Sequence, residues 1–185
     1  MRSSFYRKKL RRAGIALLSV IVLSGAVVFG VWYTLFPHKG WEHGSEVKCL
    51  ALALYWEGAG SEPIEGLRGI TLVIFNRVAS HDFPKSVCGV VAENRTGKRD
   101  QCQFSFACDG RDETPHNTNR WLWYLTLASW WSLMGPGQDP TGGATHYYAH
   151  GQVTPYWLPD MEGCMPMGNH TFCRSKYMGR DVARK

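Results

Sequence analysis

Glu57 closes an apolar run, ALALYWE, and the stretch Gly58-Ala59-Gly60 follows it at once. At about 100° per residue, Leu50, Leu54 and Glu57 fall on one helical stripe, so the carboxylate continues a face that leucines bury. Lys48 is the one charge between Val47 and Trp56, the composition of a core helix. A carboxyl placed there loses water and sits at the negative end of a helix dipole, and both effects raise its pKa. An acid that keeps its proton near neutral pH can protonate a departing oxygen. The plainer alternative is a glutamate that caps a loop or pairs with an arginine such as Arg68.

The other candidate chemistry is weaker. His146 and His150 are four apart, a metal spacing on a helix, but the Gly-rich entry and the β-favouring Thr-His-Tyr-Tyr predict a strand with no third ligand. The cysteine spacings also lack the C-x2-4-C pattern of a zinc site, so neither metal nor cofactor is expected. Four tryptophans, Trp121, Trp123, Trp130 and Trp131, invite a reading as a sugar platform, yet at helical spacing they are assigned to the core.

The elements that must position Glu57 follow from periodicity and caps. The buried helix opens at Glu46. Pro63 suits a first helical turn, and Ile64, Leu67, Thr71, Ile74, Phe75 and Val78 form the stripe of a second core helix ending near Val78. Phe83-Pro84 starts a short segment of one or two helical turns through Ala92. QCQFSFACDG, from Gln101 to Gly110, alternates side-chain type and reads as a hairpin or a strapped loop. Asn117 or Thr118 caps a third helix to Met134, stopped by Gly135-Pro136. A strand enters at Ala144 and Gly151 to Trp157 returns beside it. From Met161 the tail reads as irregular, with Asn169 to Phe172 a last strand.

The chain is amphipathic on a larger scale. Six basic residues among the first twelve account for the whole formal charge of +6, since 21 Lys and Arg stand against 15 Asp and Glu. The basic pI therefore gives no reason to expect a nucleic-acid partner. Ala13 to Phe36 carries no charge, and at about 1.5 Å per residue it can cross a hydrocarbon core of roughly 30 Å. The expected organisation is a cytoplasmic basic tail (1–12), a transmembrane anchor (13–36), a linker (37–45) and an exported domain (46–185). A cleaved signal peptide is the alternative, but Val27 to Phe36 carries the apolar run past the small cluster Ser24-Gly25-Ala26. The anchor places the chain in the inner membrane as a single-pass protein with its domain on the periplasmic or extracytoplasmic side. All six cysteines lie in that domain and suit an oxidising compartment. Many connectivities are open to them; proximity suggests Cys102 with Cys108, Cys164 with Cys173 and Cys49 with Cys88.

Taken in order, CLALALYWE, GLRGITLVIFNRV, DFPKSVCGVV, CQFSFACDG, GATHYYAHGQVTPYW and GNHTF resemble the SleB/CwlJ type of cell-wall hydrolase, over roughly Cys49 to Phe172. The resemblance implies an α+β fold: a lysozyme-like, mainly helical catalytic domain with a small β-sheet. It implies action on the glycan strands of peptidoglycan by lytic transglycosylation, with Glu57 as the catalytic acid. Gln103, Ser105, His146 and Tyr147 are then the residues that orient the sugar or its acetamido group. The chain departs from the family pattern at Ser61, an added residue before Glu62-Pro63, and at Cys173, where tyrosine is usual. Simple hydrolysis would need a second carboxylate, for which Asp109 and Glu62 are the candidates. A zinc amidase using His146 and His150, and a non-catalytic glycan-binding module, are the rival classes; the owner could be a bacterium remodelling its wall or a phage lysing one.

Overall fold

The computed structural model describes residues 22–28, 30–31, 45–99, 101–151 and 154–177. The chain divides into two units, residues 1–37 and 38–185. In the first, residues 22–28 and 30–31 are helical, with Val22, Leu23, Val27 and Val28 exposed. Among the described residues no helix is long and apolar enough to cross a membrane. The basic tail 1–12, most of the expected anchor 13–36 and nearly all of the linker 37–45 lie outside the described residues.

The second unit is built around helix α1, Glu46–Glu57. Ser45 caps it by accepting from the Lys48 amide at 3.3 Å, and Cys49 through Leu54 are completely buried. Helix α2 (Ile64–Ala79), the short α3 (Val87–Val91) and α4 (Thr118–Met134) pack around it. Pro63 precedes α2 in extended conformation as its N-cap residue, and Asn117 caps α4 by accepting from the Arg120 amide at 3.0 Å. Gly58 then ends α1 where only glycine fits, because a Cβ there would meet the Leu54 carbonyl and the Tyr124 hydroxyl. That tight stop holds Glu57 at the helix end.

The sheet has three antiparallel strands: β1 (His146–Ala149), β2 (Met161–Met167) and β3 (His170–Ser175), in the order β1-β3-β2. Tyr147 pairs with Phe172 and His146 with Cys173. Gly69 on α2 has no side chain to obstruct the Phe172 ring, and this close approach brings the sheet against the helices. Three disulfides, Cys49–Cys88, Cys102–Cys108 and Cys164–Cys173, join α1 to α3, close the 102–108 loop and cross-link β2 to β3. These are the pairs that proximity suggests.

Three expectations are corrected and one open alternative is decided. The described part of the expected return, residues 154–157, is not a strand: Pro155 has no N–H to donate to a ladder, its carbonyl accepts from the Leu158 amide in a turn, and the partner of β1 is β3. The tail from Met161 is a regular hairpin, turning at Gly168-Asn169 with Gly168 at φ 58°. Its β2 is an edge strand exposed along most of its length, with an irregular register between Glu162 and Met165, so no burial period marks it in the sequence. QCQFSFACDG is a strapped loop with a 3-10 turn, Ser105–Cys108, and not a hairpin; the Ala107 amide donates back to Phe104 at 3.0 Å. The tryptophans of α4 divide: Trp121 and Trp131 are core, whereas Trp123 and Trp130 are 46% and 60% exposed.

Candidate active site

Glu57 sits where two cavities meet, each of about 390 Å³. One is walled by Trp56, Phe106, Asp109, Asp112, Glu113 and His116. The other is walled by Arg77, Gln103, His146, Tyr147, Trp157 and His170. Ser105 borders both, as Glu57 does. A third concavity, toward Asp82, Arg95 and Tyr177, continues from the second through Gln103 and His146. The three together run as a groove past the carboxylate.

The groove's floor follows from a short alternation. Phe104 and Phe106 are buried while Gln103 and Ser105 are exposed, so the 102–108 loop anchors on its aromatics and offers its polar side chains to the groove. Trp56 lies against Phe106 with ring centroids 6.4 Å apart and donates from Nε1 to the Glu113 carbonyl.

Glu57 itself accepts a hydrogen bond from the Tyr147 hydroxyl at 2.9 Å. Tyr147 stacks on Phe172 at 5.6 Å, so strand register sets the phenol against the acid. Burial pushes the Glu57 carboxyl above its usual range, opposed by the Tyr147 hydrogen bond and by the positive fields of His170 and Arg77. Burial, and then the Glu57 charge, hold the Tyr147 phenol protonated well above its ordinary range. Burial, with Arg77 and Arg95 nearby, pushes His146 down to about 4, so its imidazole is neutral at pH 7. The arrangement is a carboxyl whose burial favours its protonated form, held by a neutral donor and open to the two cavities.

The structure gathers Glu57, Gln103, Ser105, His146 and Tyr147 around those cavities. It does not gather the other candidates so simply. Arg68, offered as a partner for Glu57, instead donates to the carbonyls of Pro136, at 2.6 Å, and Gln138. Asp109 shares the first cavity with Glu57 and accepts from the Arg111 amide at 2.8 Å. Glu62 is enclosed elsewhere, its carboxylate 3.2 Å from His170 Nδ1 and accepting from the Asn169 amide at 2.9 Å. His150 is exposed beyond the groove, with Nδ1 3.3 Å from Thr171 Oγ1, so it does not meet His146 over a metal. Among the described residues no cluster of three or more His, Cys, Asp or Glu could hold a metal ion. Sequence reasoning gave no role to Trp56, Arg77, Trp157 or His170. Trp56 adjoins the acid and His170 lies in GNHTF, so both were within reach; Arg77 and Trp157 enter only through folding.

A profile of the cell wall hydrolase family matches residues 61–173, which include Gln103, Ser105, His146 and Tyr147 and begin just after Glu57. A spore cortex-lytic enzyme of Bacillus cereus is 30% identical over 131 residues, covering 70% of this chain and 44% of that protein. One of Halalkalibacterium halodurans is 32% identical over 130 residues, 70% of this chain and 34% of the other. The chain thus spans less than half the length of these curated relatives. The solved structure of the catalytic domain of the germination-specific lytic transglycosylase SleB from Bacillus anthracis matches with a TM-score of 0.50 at 30% identity, over 70% of this chain and 93% of that one.

Proposed function

The chain belongs to the cell wall hydrolase family, and we propose that it is a membrane-anchored enzyme that cuts the glycan strands of peptidoglycan by lytic transglycosylation, with Glu57 as its one catalytic acid. The observation that carries this reading is the Tyr147-held Glu57 at the junction of two cavities that its side chain helps to wall. Glu57 gives its proton to the oxygen between N-acetylmuramic acid and N-acetylglucosamine, and the C1–O bond breaks. The acetamido group of the substrate supports the positive centre at C1. The Glu57 carboxylate then takes the proton of the muramoyl C6 hydroxyl, whose oxygen bonds to C1 and closes a 1,6-anhydro ring. Gln103, Ser105 and the neutral His146 orient the sugar. Likeness to the SleB catalytic domain supports a lysozyme-like arrangement of helices around the acid. Exposed valines and leucine on the N-terminal helix support the anchor, and three disulfides support an exported domain acting in wall remodelling or phage lysis.

Asp109, which lines a cavity with Glu57, favours a second reading in which it activates water and the enzyme is a hydrolytic muramidase. Mass spectrometry of a muropeptide digest decides between them. Anhydro ends, unaffected by EDTA, are expected; reducing ends would establish the muramidase, and new free amines an amidase.

A further inference from the structure

Arg77, near the end of α2, is a buried cation for which the reaction as described has no use. It is 4% exposed, and its guanidinium carbon lies 5.2 Å from the Phe83 ring centroid and 5.6 Å from that of Phe104. Nε donates to the Thr145 carbonyl at 2.8 Å, while Nη1 is buried without a hydrogen-bond partner among the described residues. No ion pair with a carboxylate is formed by Arg77 among those residues, and Glu93, which acts on it through space, is engaged by Arg95 at 2.7 Å. Burying an ion that forms no close ion pair is costly, so a packing role alone would favour a neutral side chain. The wall that Arg77 occupies is the one it shares with Glu57 and Tyr147.

We propose that Arg77 is a positioning residue for proton transfer, its fixed charge compensating the negative charge that forms on Glu57 as the glycosidic oxygen takes the proton. The inference rests on Glu57 being the acid. In the resting enzyme burial favours the neutral form of Glu57, and Arg77 makes no ion pair with a carboxylate among the described residues. As the O–H bond of Glu57 breaks, its electron pair stays on the carboxylate, and the Arg77 cation faces a new negative charge in the wall they share. An interaction absent from the ground state and present in the transition state lowers the barrier. The other groups facing Glu57 are differently placed. His170 also acts on Glu57 but is paired with the Glu62 carboxylate at 3.2 Å, His146 is neutral at pH 7, and Asp109, Asp112 and Glu113 line the opposite cavity with Arg111 and His116.

The test uses the full chain and solubilised glycan strands, comparing Arg77→Met and Arg77→Lys with Glu57→Gln. Arg77→Met should lower kcat about ten- to a hundred-fold, in the range of a lost electrostatic stabiliser. Without the cation Glu57 holds its proton more tightly, so the alkaline limb of the kcat/KM profile should move up by about one pH unit. Arg77→Lys should keep most of the turnover and the wild-type limb. Wild-type turnover in Arg77→Met overturns the proposal, as does a loss with the limb unmoved, which is what a merely structural role produces. If Arg77→Met does not fold, Arg77→Lys decides: folded and active upholds the proposal, folded and inactive overturns it, and failure of both to fold assigns the residue to stability and overturns it. A working Glu57→Gln would remove the assigned acid itself, an outcome distinct from any failure of Arg77 alone.

Discussion

Glu57 is a carboxyl whose environment disfavours its charge, and that has consequences for both turnover and stability. Glu57→Gln keeps the shape and loses the proton, so turnover on peptidoglycan should fall below about a tenth of wild type with the fold intact. The stability effect has a definite sign. Burial raises the folded-state pKa of Glu57 above its unfolded value, so the folded protein binds that proton more tightly. Its contribution is fully present below the unfolded pKa, about 4.3, and is lost as pH rises through the folded value. The Glu57→Gln protein has no such loss. Its Tm should match wild type near about pH 4 and exceed it near about pH 8, each kcal/mol reading as about 2–4 °C in a domain of this size. Thermal melts across that range check it; a gap that narrows with rising pH would contradict the buried acid.

At the scale of elements, one close approach and one bridge hold the acid-bearing helix to its surroundings. Gly69→Ala improves helix propensity by about 1 kcal/mol. Yet the new methyl would overlap the Phe172 ring, whose strand carries Tyr147 toward Glu57. Overpacking of that kind costs about 1–3 kcal/mol, so a lower Tm is expected despite the better helix former. Unchanged or higher Tm would mean that the sheet can slide without cost. The Cys49–Cys88 bridge spans 39 residues and joins α1 to α3. Replacing both cysteines by alanine should cost about 3–4 kcal/mol on the loop-closure argument, read from the urea midpoint. Removing Cys102–Cys108, which closes six residues, should affect stability less and turnover more, because that loop carries Gln103 and Ser105.

For the whole molecule, the proposed anchor is testable without reference to catalysis. The full chain should sediment with membranes and resist alkaline carbonate washing, since an uncharged stretch from Ala13 to Phe36 matches the hydrocarbon thickness. Recovery of the chain in the wash would defeat the anchor while leaving the groove and its acid untouched. The division of the molecule into units at residues 37 and 38 makes the two questions separable.

Local signals carried α1, α2 and α4, because helix periodicity, Pro63 and Asn117 act over a few neighbouring residues. The same signals put Glu57 at the end of a buried helix, where leucines dictate its face. The alternation around Gln103 and Ser105 left a hairpin and a strapped loop both open, and the fold decides for the loop. The sheet was not legible in this way. β2 is mostly exposed and so has no burial period, and its pairing shifts register between Glu162 and Met165. Nor could spacing show that Tyr147 would reach Glu57 from 90 residues away, or that Arg77 would lie in the same wall. Those juxtapositions depend on the β1-β3-β2 order and on the Gly69–Phe172 approach, contacts between segments distant in the chain, and only the folded protein brings them together.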